Sequence, residues 1–279
     1  MKLVTVNIMD IEKLAILTSK GVIVLDQLEE FELKDISFLD LLLNGKLKEV
    51  EEWLKGGNDK ALNLIPIEEV DFAPLYRNPR KIWGMGMNYK SVKTELGAIE
   101  ESDPIFFMKP YSSLIGPNDS IIIPDQSNRT TAEAELAIII GKTCKNIEEN
   151  EVMDVIAGFT PAIDVTAADI HAANPRYLQR SKSFDTFFSF GPVFLSKSEV
   201  ENVDSLSVAT VLNGQIIHQN KVSNMIYSPE NIVSFLSKVS TLHPGDIIIT
   251  GTPGATVIQK GDRVECQIEG FEILCNSVI

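Results

Sequence analysis

Thr130-Thr131-Ala132-Glu133-Ala134-Glu135-Leu136-Ala137-Ile138-Ile139-Ile140 places two carboxylates, two residues apart, at the head of an apolar run. The run predicts a β-strand over 135–140. In a strand, residues two apart point to one face, so Glu133 and Glu135 project together with Cα atoms about 6.8 Å apart. Like charges held side by side repel one another and resist desolvation, and a divalent cation removes both costs. A solvated edge strand is the competing reading of the same pattern.

A second carboxylate stands in a similar setting. Gly158-Phe159-Thr160-Pro161-Ala162-Ile163-Asp164-Val165-Thr166 is an apolar strand that ends on an aspartate. Alone, Asp164 reads equally as a strand-end or turn residue. Three carboxylates without histidine or cysteine beside them suit a hard cation such as Mg²⁺ or Mn²⁺, with water or substrate completing the octahedron.

Outward from these strands the chain stays predominantly β. Further strands are predicted at 81–85, 104–108, 120–123, 191–195, 206–212, 246–250 and 263–268, with turn signals such as Asn213-Gly214 and Pro244-Gly245-Asp246 between them. One helix is predicted from a cap at Asn146 to a stop before Gly158. A second is capped by Ser228, carries Pro229 in its first turn, and presents Ile232, Val233, Phe235, Leu236 and Val239. Residues 1–75 read as a small leading α/β domain, with helical spacing from 37 to 54 broken at Asn44-Gly45. Long strands with few helices do not suit a doubly wound α/β fold and predict instead an α+β, β-rich fold: a mixed or antiparallel β core with peripheral helices over 76–279.

The net charge of −14 over 279 residues makes nucleic acid a poor partner. It also requires any site for an anionic substrate to supply local cations. No apolar run is long enough to span a bilayer, and Met1–Val6 reads as a first strand rather than a signal peptide. Cys144, Cys266 and Cys275, an odd count without C-x-x-C spacing, read as buried thiols in a reducing, cytoplasmic setting. With only His171, His218 and His243 available, H-E-x-x-H zinc chemistry is excluded. His171 reads as a polar residue in the loop before Asn174-Pro175.

Several motifs, in order from Lys81 to the C-terminus, resemble the fumarylacetoacetate hydrolase family. They are Gly86-Met87-Asn88-Tyr89, Lys109-Pro110 with Ser112-Ser113 and Gly116-Pro117, Glu133-Ala134-Glu135-Leu136-Ala137, Asp164-Val165-Thr166, Lys182-Ser183-Phe184-Asp185, and Thr250-Gly251-Thr252-Pro253. The resemblance implies a mixed β-sheet roll or sandwich core and Mg²⁺ or Mn²⁺ ligated by Glu133, Glu135 and Asp164. It implies Lys182 and Glu95 as catalytic residues and Tyr89, Lys109 and Thr252 as substrate contacts. Its substrates would be small anionic 2-oxo or diketo acids, converted through a metal-stabilised enolate by C–C hydrolysis, decarboxylation, isomerisation or hydration and dehydration. A homodimer is implied as well, with no membrane partner.

Two positions depart from the family pattern. Val92 stands where a water-activating histidine is usual, three residues before Glu95, and valine transfers no proton. Ala168 precedes Asp169 where arginine is usual, so a cation is lost that Arg176 or Arg180 could replace. Both changes favour reactions with little need for water activation. They also keep open a catalytically quiet relative that binds metal and a small acid.

Overall fold

The computed structural model describes residues 1–28, 34–57, 62–90 and 103–279. Its centre is the antiparallel pair Thr130–Ile140 and Ile156–Ala167. Both strands start earlier or end later than the apolar runs predict. Small residues explain the extension: Ala132 and Thr131 face Val165 and Thr166, so the ladder continues past the carboxylates without crowding.

This pair lies inside a sheet of thirteen strands. Its main path runs Gly21–Val24, Ile11–Thr18, Lys2–Ile8, Val193–Ser196, Ile156–Ala167, Thr130–Ile140, Ile247–Ile249, Ile82–Gly86 and Ile105–Lys109. A second sheet of five strands runs Gln215–Lys221, Ser207–Leu212, Arg263–Ile268, Leu274–Val278 and Ser120–Ile121. Most pairings are antiparallel, but Ile247–Ile249 runs parallel to Ile82–Gly86 and Leu274–Val278 parallel to Ser120–Ile121. The core is therefore mixed β, as the sequence predicts. The leading strands are part of the same sheet, since Lys2, Leu3 and Val4 pair with Leu195, Phe194 and Val193.

Alternation along Thr130–Ile140 sets the layers. Ala132, Ala134, Leu136 and Ile138 are buried against Val208, Val264, Cys266 and Ile268 of the second sheet. Ala137 and Ile139 face the other way, into a layer with Phe38, Leu41, Leu42, Val50, Phe188, Phe190 and Phe194. The parity that sends Ala137 and Ile139 into that layer carries Glu133 and Glu135 to the same face beyond its end.

Two residues inside Ile156–Ala167 look hostile to a central strand. Gly158 is needed for close approach: a Cβ there would meet Leu195 O at 2.0 Å. Pro161 has no N–H to donate. It falls where the neighbouring strand changes, between partners of Val193–Ser196 at Gly158 and Phe159 and partners of Phe188–Phe190 from Ala162 onward.

Helices are short and peripheral. Phe38–Leu43 starts with a capping box between Ser37 and Asp40, and Leu47–Lys55 follows the break at Asn44-Gly45. Pro229–Val239 is capped by Ser228, which accepts from Asn231 N at 3.2 Å. The helix predicted from Asn146 is shorter. Asn146 sits at φ 55°, a Glu148–Glu151 capping box opens a single turn, and the α-helix Val152–Val155 stops because Ile156 already belongs to the strand. Cys144, Cys266 and Cys275 are free and buried. Among the described residues no helix is long and apolar enough to cross a membrane.

Candidate metal and substrate site

Cross-strand register brings the predicted carboxylates together. Asp164 lies directly opposite Glu133, and Ala162 opposite Glu135, so all three acids share one face. Oxygen atoms from Glu133, Glu135 and Asp164 lie within 4.8 Å of one another. Glu135 and Asp164 are fully buried and Glu133 is half-buried. Burial, followed by the charges of Asp164 and Glu133, pushes the Glu135 carboxyl well above the ordinary carboxylate range.

Lys182 answers part of this charge. Its Nζ donates to Asp164 Oδ2 at 2.5 Å and to Glu133 Oε2 at 3.0 Å, and it stands 4.6 Å from the Phe107 ring centroid. Burial opposes its protonation, but attraction to Asp164 and Glu133 outweighs burial and raises the ammonium above its usual value. It arrives from the end of the short helix Leu178–Ser181.

Lys109 is buried behind Asp164. Its Nζ donates to the main-chain carbonyls of Val165 at 3.1 Å and Lys182 at 2.7 Å. Burial lowers its pKa to about 8, with the Lys182 charge adding to the effect and Asp164 opposing it. Lys109 Nζ also stands 2.7 Å from Asp164 Oδ1, a fully buried ion pair.

The donor set fits a hard dication. Three carboxylates against two ammonium groups leave one negative charge in excess, so a dication leaves the centre with one positive charge. The buried carboxyl of Glu135, pushed up by burial and by the charges of Asp164 and Glu133, is a feature that such an ion relieves. The remaining Glu135 and Glu133 oxygens are aimed by neighbours. Gly251 N donates to Glu135 Oε2 at 2.5 Å, and Thr166 Oγ1 donates to Glu133 Oε1 at 2.9 Å.

Sequence reasoning missed both of these aiming groups, although Thr166 follows Asp164 by two and shares its face. It also missed the part played by Asn88. Asn88 Nδ2 donates to Thr250 O at 2.8 Å and Tyr227 O at 3.0 Å, while its Oδ1 accepts from Tyr227 N at 2.9 Å. That amide staples the Asn88-Tyr89 segment to the turn carrying Gly251.

Tyr89 is fully buried, and its hydroxyl has no hydrogen-bond partner among the described residues. Burial, then the charge of Glu135, holds the phenol above its ordinary range, so it remains a proton donor. Thr252 is half-buried beside Gly251, with its hydroxyl donating to Gly254 O at 3.0 Å within the turn. Val92, Glu95 and nearly all of the stretch 93–104 lie outside the described residues.

His171 lies on a short helix, Ala168–Ala173, rather than in a loop. It is half-buried, and its pKa is lowered by burial and by the Lys182 charge. Arg180 turns elsewhere: its guanidinium donates to Gln126 Oε1 at 2.9 Å and covers the Tyr177 ring at 5.9 Å.

A β-rich core carrying three convergent carboxylates and a buried lysine presents a candidate divalent-metal site of the carboxylate type. The sequence model for the fumarylacetoacetate hydrolase C-terminal domain matches residues 81–279, and this chain belongs to that family of enzymes. Mitochondrial oxaloacetate tautomerase Fahd2a of Rattus norvegicus is 35% identical over 226 residues, covering 78% of this chain and 72% of that protein. Maleylpyruvate hydrolase from Sphingobium sp. SYK-6, solved with manganese(II) and pyruvate, superposes with a TM-score of 0.81. It is 26% identical, covering 100% of this chain and 99% of that one. Fumarylacetoacetate hydrolase of Exiguobacterium antarcticum gives a TM-score of 0.83 at 25% identity, with 100% and 99% covered.

Proposed function

We propose that this chain is a divalent-metal-dependent enzyme that interconverts keto and enol forms of a small 2-oxo acid, oxaloacetate being the first candidate. The observation that carries the reading is Lys182 Nζ bridging Asp164 and Glu133 beside the buried Glu135. Mg²⁺ or Mn²⁺ held by Glu133, Glu135 and Asp164 would supply Lewis acidity toward the 2-oxo carbonyl. The Lys182 ammonium, kept protonated by its two carboxylates, stabilises the negative charge that develops on the oxygen as C3 loses its proton. Tyr89 offers a second donor from a fully buried position. Glu95 keeps the role of proton acceptor that its place in the motif gives it, and Thr252 and Lys109 keep those of substrate contact and support.

Enolisation needs one proton removed from carbon and one returned to oxygen. It needs no activated water, which agrees with Val92 in the histidine position. The likeness to an oxaloacetate tautomerase and to a hydrolase solved with pyruvate supports the same substrate class. The working unit is taken as a homodimer, which light scattering on the eluting protein tests directly.

The decisive experiment follows enol absorbance of oxaloacetate, with acylpyruvates and 2-oxo-3-deoxy acids assayed for cleavage and dehydration in parallel. Accelerated, EDTA-sensitive equilibration of oxaloacetate is the expected result. No turnover of any substrate alongside measurable oxalate binding would instead make the chain a quiet metal- and acid-binding relative.

A further inference from the structure

We propose that Arg129 binds the distal carboxylate of a 2-oxo dicarboxylic acid whose keto-acid end occupies the carboxylate centre. The inference rests on the function proposed above and deepens it by naming the group that distinguishes a diacid from a monoacid.

The cross-strand register carries the argument. Glu133 faces Asp164, Thr131 faces Thr166, and Thr130 faces Ala167. Ala168 N then donates to Arg129 O at 2.8 Å, which extends the ladder by one more step. Arg129 is therefore opposite Ala168. Arg129 is the residue just before the strand Thr130–Ile140, and continuing the strand alternation by one step assigns it to the face that carries Thr131, Glu133 and Glu135. Arg129 precedes Glu133 by four residue steps, about 13–14 Å between Cα atoms in extended chain. An arginine side chain leaning back along the strand covers roughly half of that span. The remainder matches a short diacid anchored at the carboxylate centre.

Local structure leaves the guanidinium available. Ala168 opposite it has only a methyl group and offers the guanidinium no partner across the strand pair. The Arg129 side chain is exposed, and among the described residues it has no hydrogen bond or ion pair. Its backbone, by contrast, is fixed. Asp169 accepts from Ser127 Oγ at 2.7 Å and from Asn128 N at 2.8 Å, tying the segment before Arg129 to the helix that begins at Ala168. Those donors outweigh burial and hold the Asp169 carboxyl below its ordinary range.

Charge gives this cation its use. A chain of net charge −14 offers a dianion no general attraction. The dication-loaded centre carries one net positive charge, enough for the keto-acid end but not for a second carboxylate. A free guanidinium at the rim matches that second group in charge and in its planar, two-pronged geometry.

The test uses the full chain loaded with Mn²⁺ and compares wild type with Arg129→Gln and Arg129→Lys. Probes are oxaloacetate, its 4-methyl ester and pyruvate as a competitive ligand. Arg129→Gln is expected to raise KM for oxaloacetate about tenfold or more while kcat moves less than about threefold. KM for the ester should hardly change, pyruvate inhibition should be preserved, and Arg129→Lys should recover part of the loss. An unaltered KM for oxaloacetate, or an equal loss for diacid, ester and pyruvate, overturns the role of Arg129 and leaves the proposed function standing. Wild type that neither binds nor turns over any of the three overturns both.

Discussion

Lys109 Nζ donates to the main-chain carbonyl of Lys182 at 2.7 Å, so one buried lysine fixes the place of the other. The second carbonyl it holds, Val165 O, follows Asp164 directly. Lys109 thereby clamps the two chain segments that supply the Asp164–Lys182 pair. Lys109→Met removes the clamp and leaves two buried carbonyls and Asp164 without their cation. A loss of about 3 kcal/mol or more in unfolding free energy is expected. Denaturant melts measure it, and a residual kcat at least tenfold lower should accompany it.

Lys182 plays two opposed parts. Its ammonium lies between Glu133 and Asp164, where it repels an incoming dication while serving the developing oxyanion. Lys182→Met should therefore bind Mn²⁺ several-fold more tightly by calorimetry and yet lose about a hundredfold in kcat. Weaker Mn²⁺ binding in this variant would contradict the arrangement.

Glu135 sets a pH dependence. Its folded-state pKa lies above the unfolded value, so between those values the native protein holds a proton that the unfolded chain has released. Stability of the metal-free protein contributed by this group is present at low pH and falls as pH rises through that window. A dication displaces the proton and removes the penalty. The rise in melting temperature on adding Mn²⁺ should thus grow from pH 5 toward neutrality. Proton release on binding, read from calorimetry in buffers of different ionisation enthalpy, should disappear in Glu135→Gln.

Asn88 and Gly251 test the staple behind the centre. Asn88→Ala breaks two donated and one accepted hydrogen bond and is expected to cost about 2–3 kcal/mol by thermal melting. Gly251 has φ 102°, and a Cβ there would stand 2.7 Å from Asn88 Cβ. Gly251→Ala should destabilise to a similar degree. It should also weaken Mn²⁺ binding, because the N–H that aims Glu135 Oε2 moves with the turn.

Much of the centre is legible in the sequence because strand periodicity is rigid. Glu133 and Glu135 must share a face once the segment is a strand, and ordered motifs supply Asp164 and Lys182. Register is not legible, since nothing local states that Asp164 pairs with Glu133 rather than with Glu135. The opposition of Arg129 to Ala168 escapes for the same reason. Helix starts are read less well than strands: Asn146 looks like a cap, but Glu148 and Glu151 form a better reciprocal one. The clamp made by Lys109 depends on main-chain carbonyls, which every residue has and no motif marks.

The pairing of Lys2–Val4 with Val193–Leu195 bears on how the catalytic portion can be handled in isolation. A fragment beginning near residue 76 would uncover a bare ladder at Val193–Ser196. Val193 and Phe194, with no solvent exposure in the whole chain, would sit at that seam. An apolar, unpaired edge of this kind recruits strands from neighbouring molecules. Such a truncation should therefore precipitate or form mixed oligomers even though every acid and lysine of the centre is retained. The opening strands work as a selvedge, the woven border that keeps the rest of the fabric from unravelling into its neighbours.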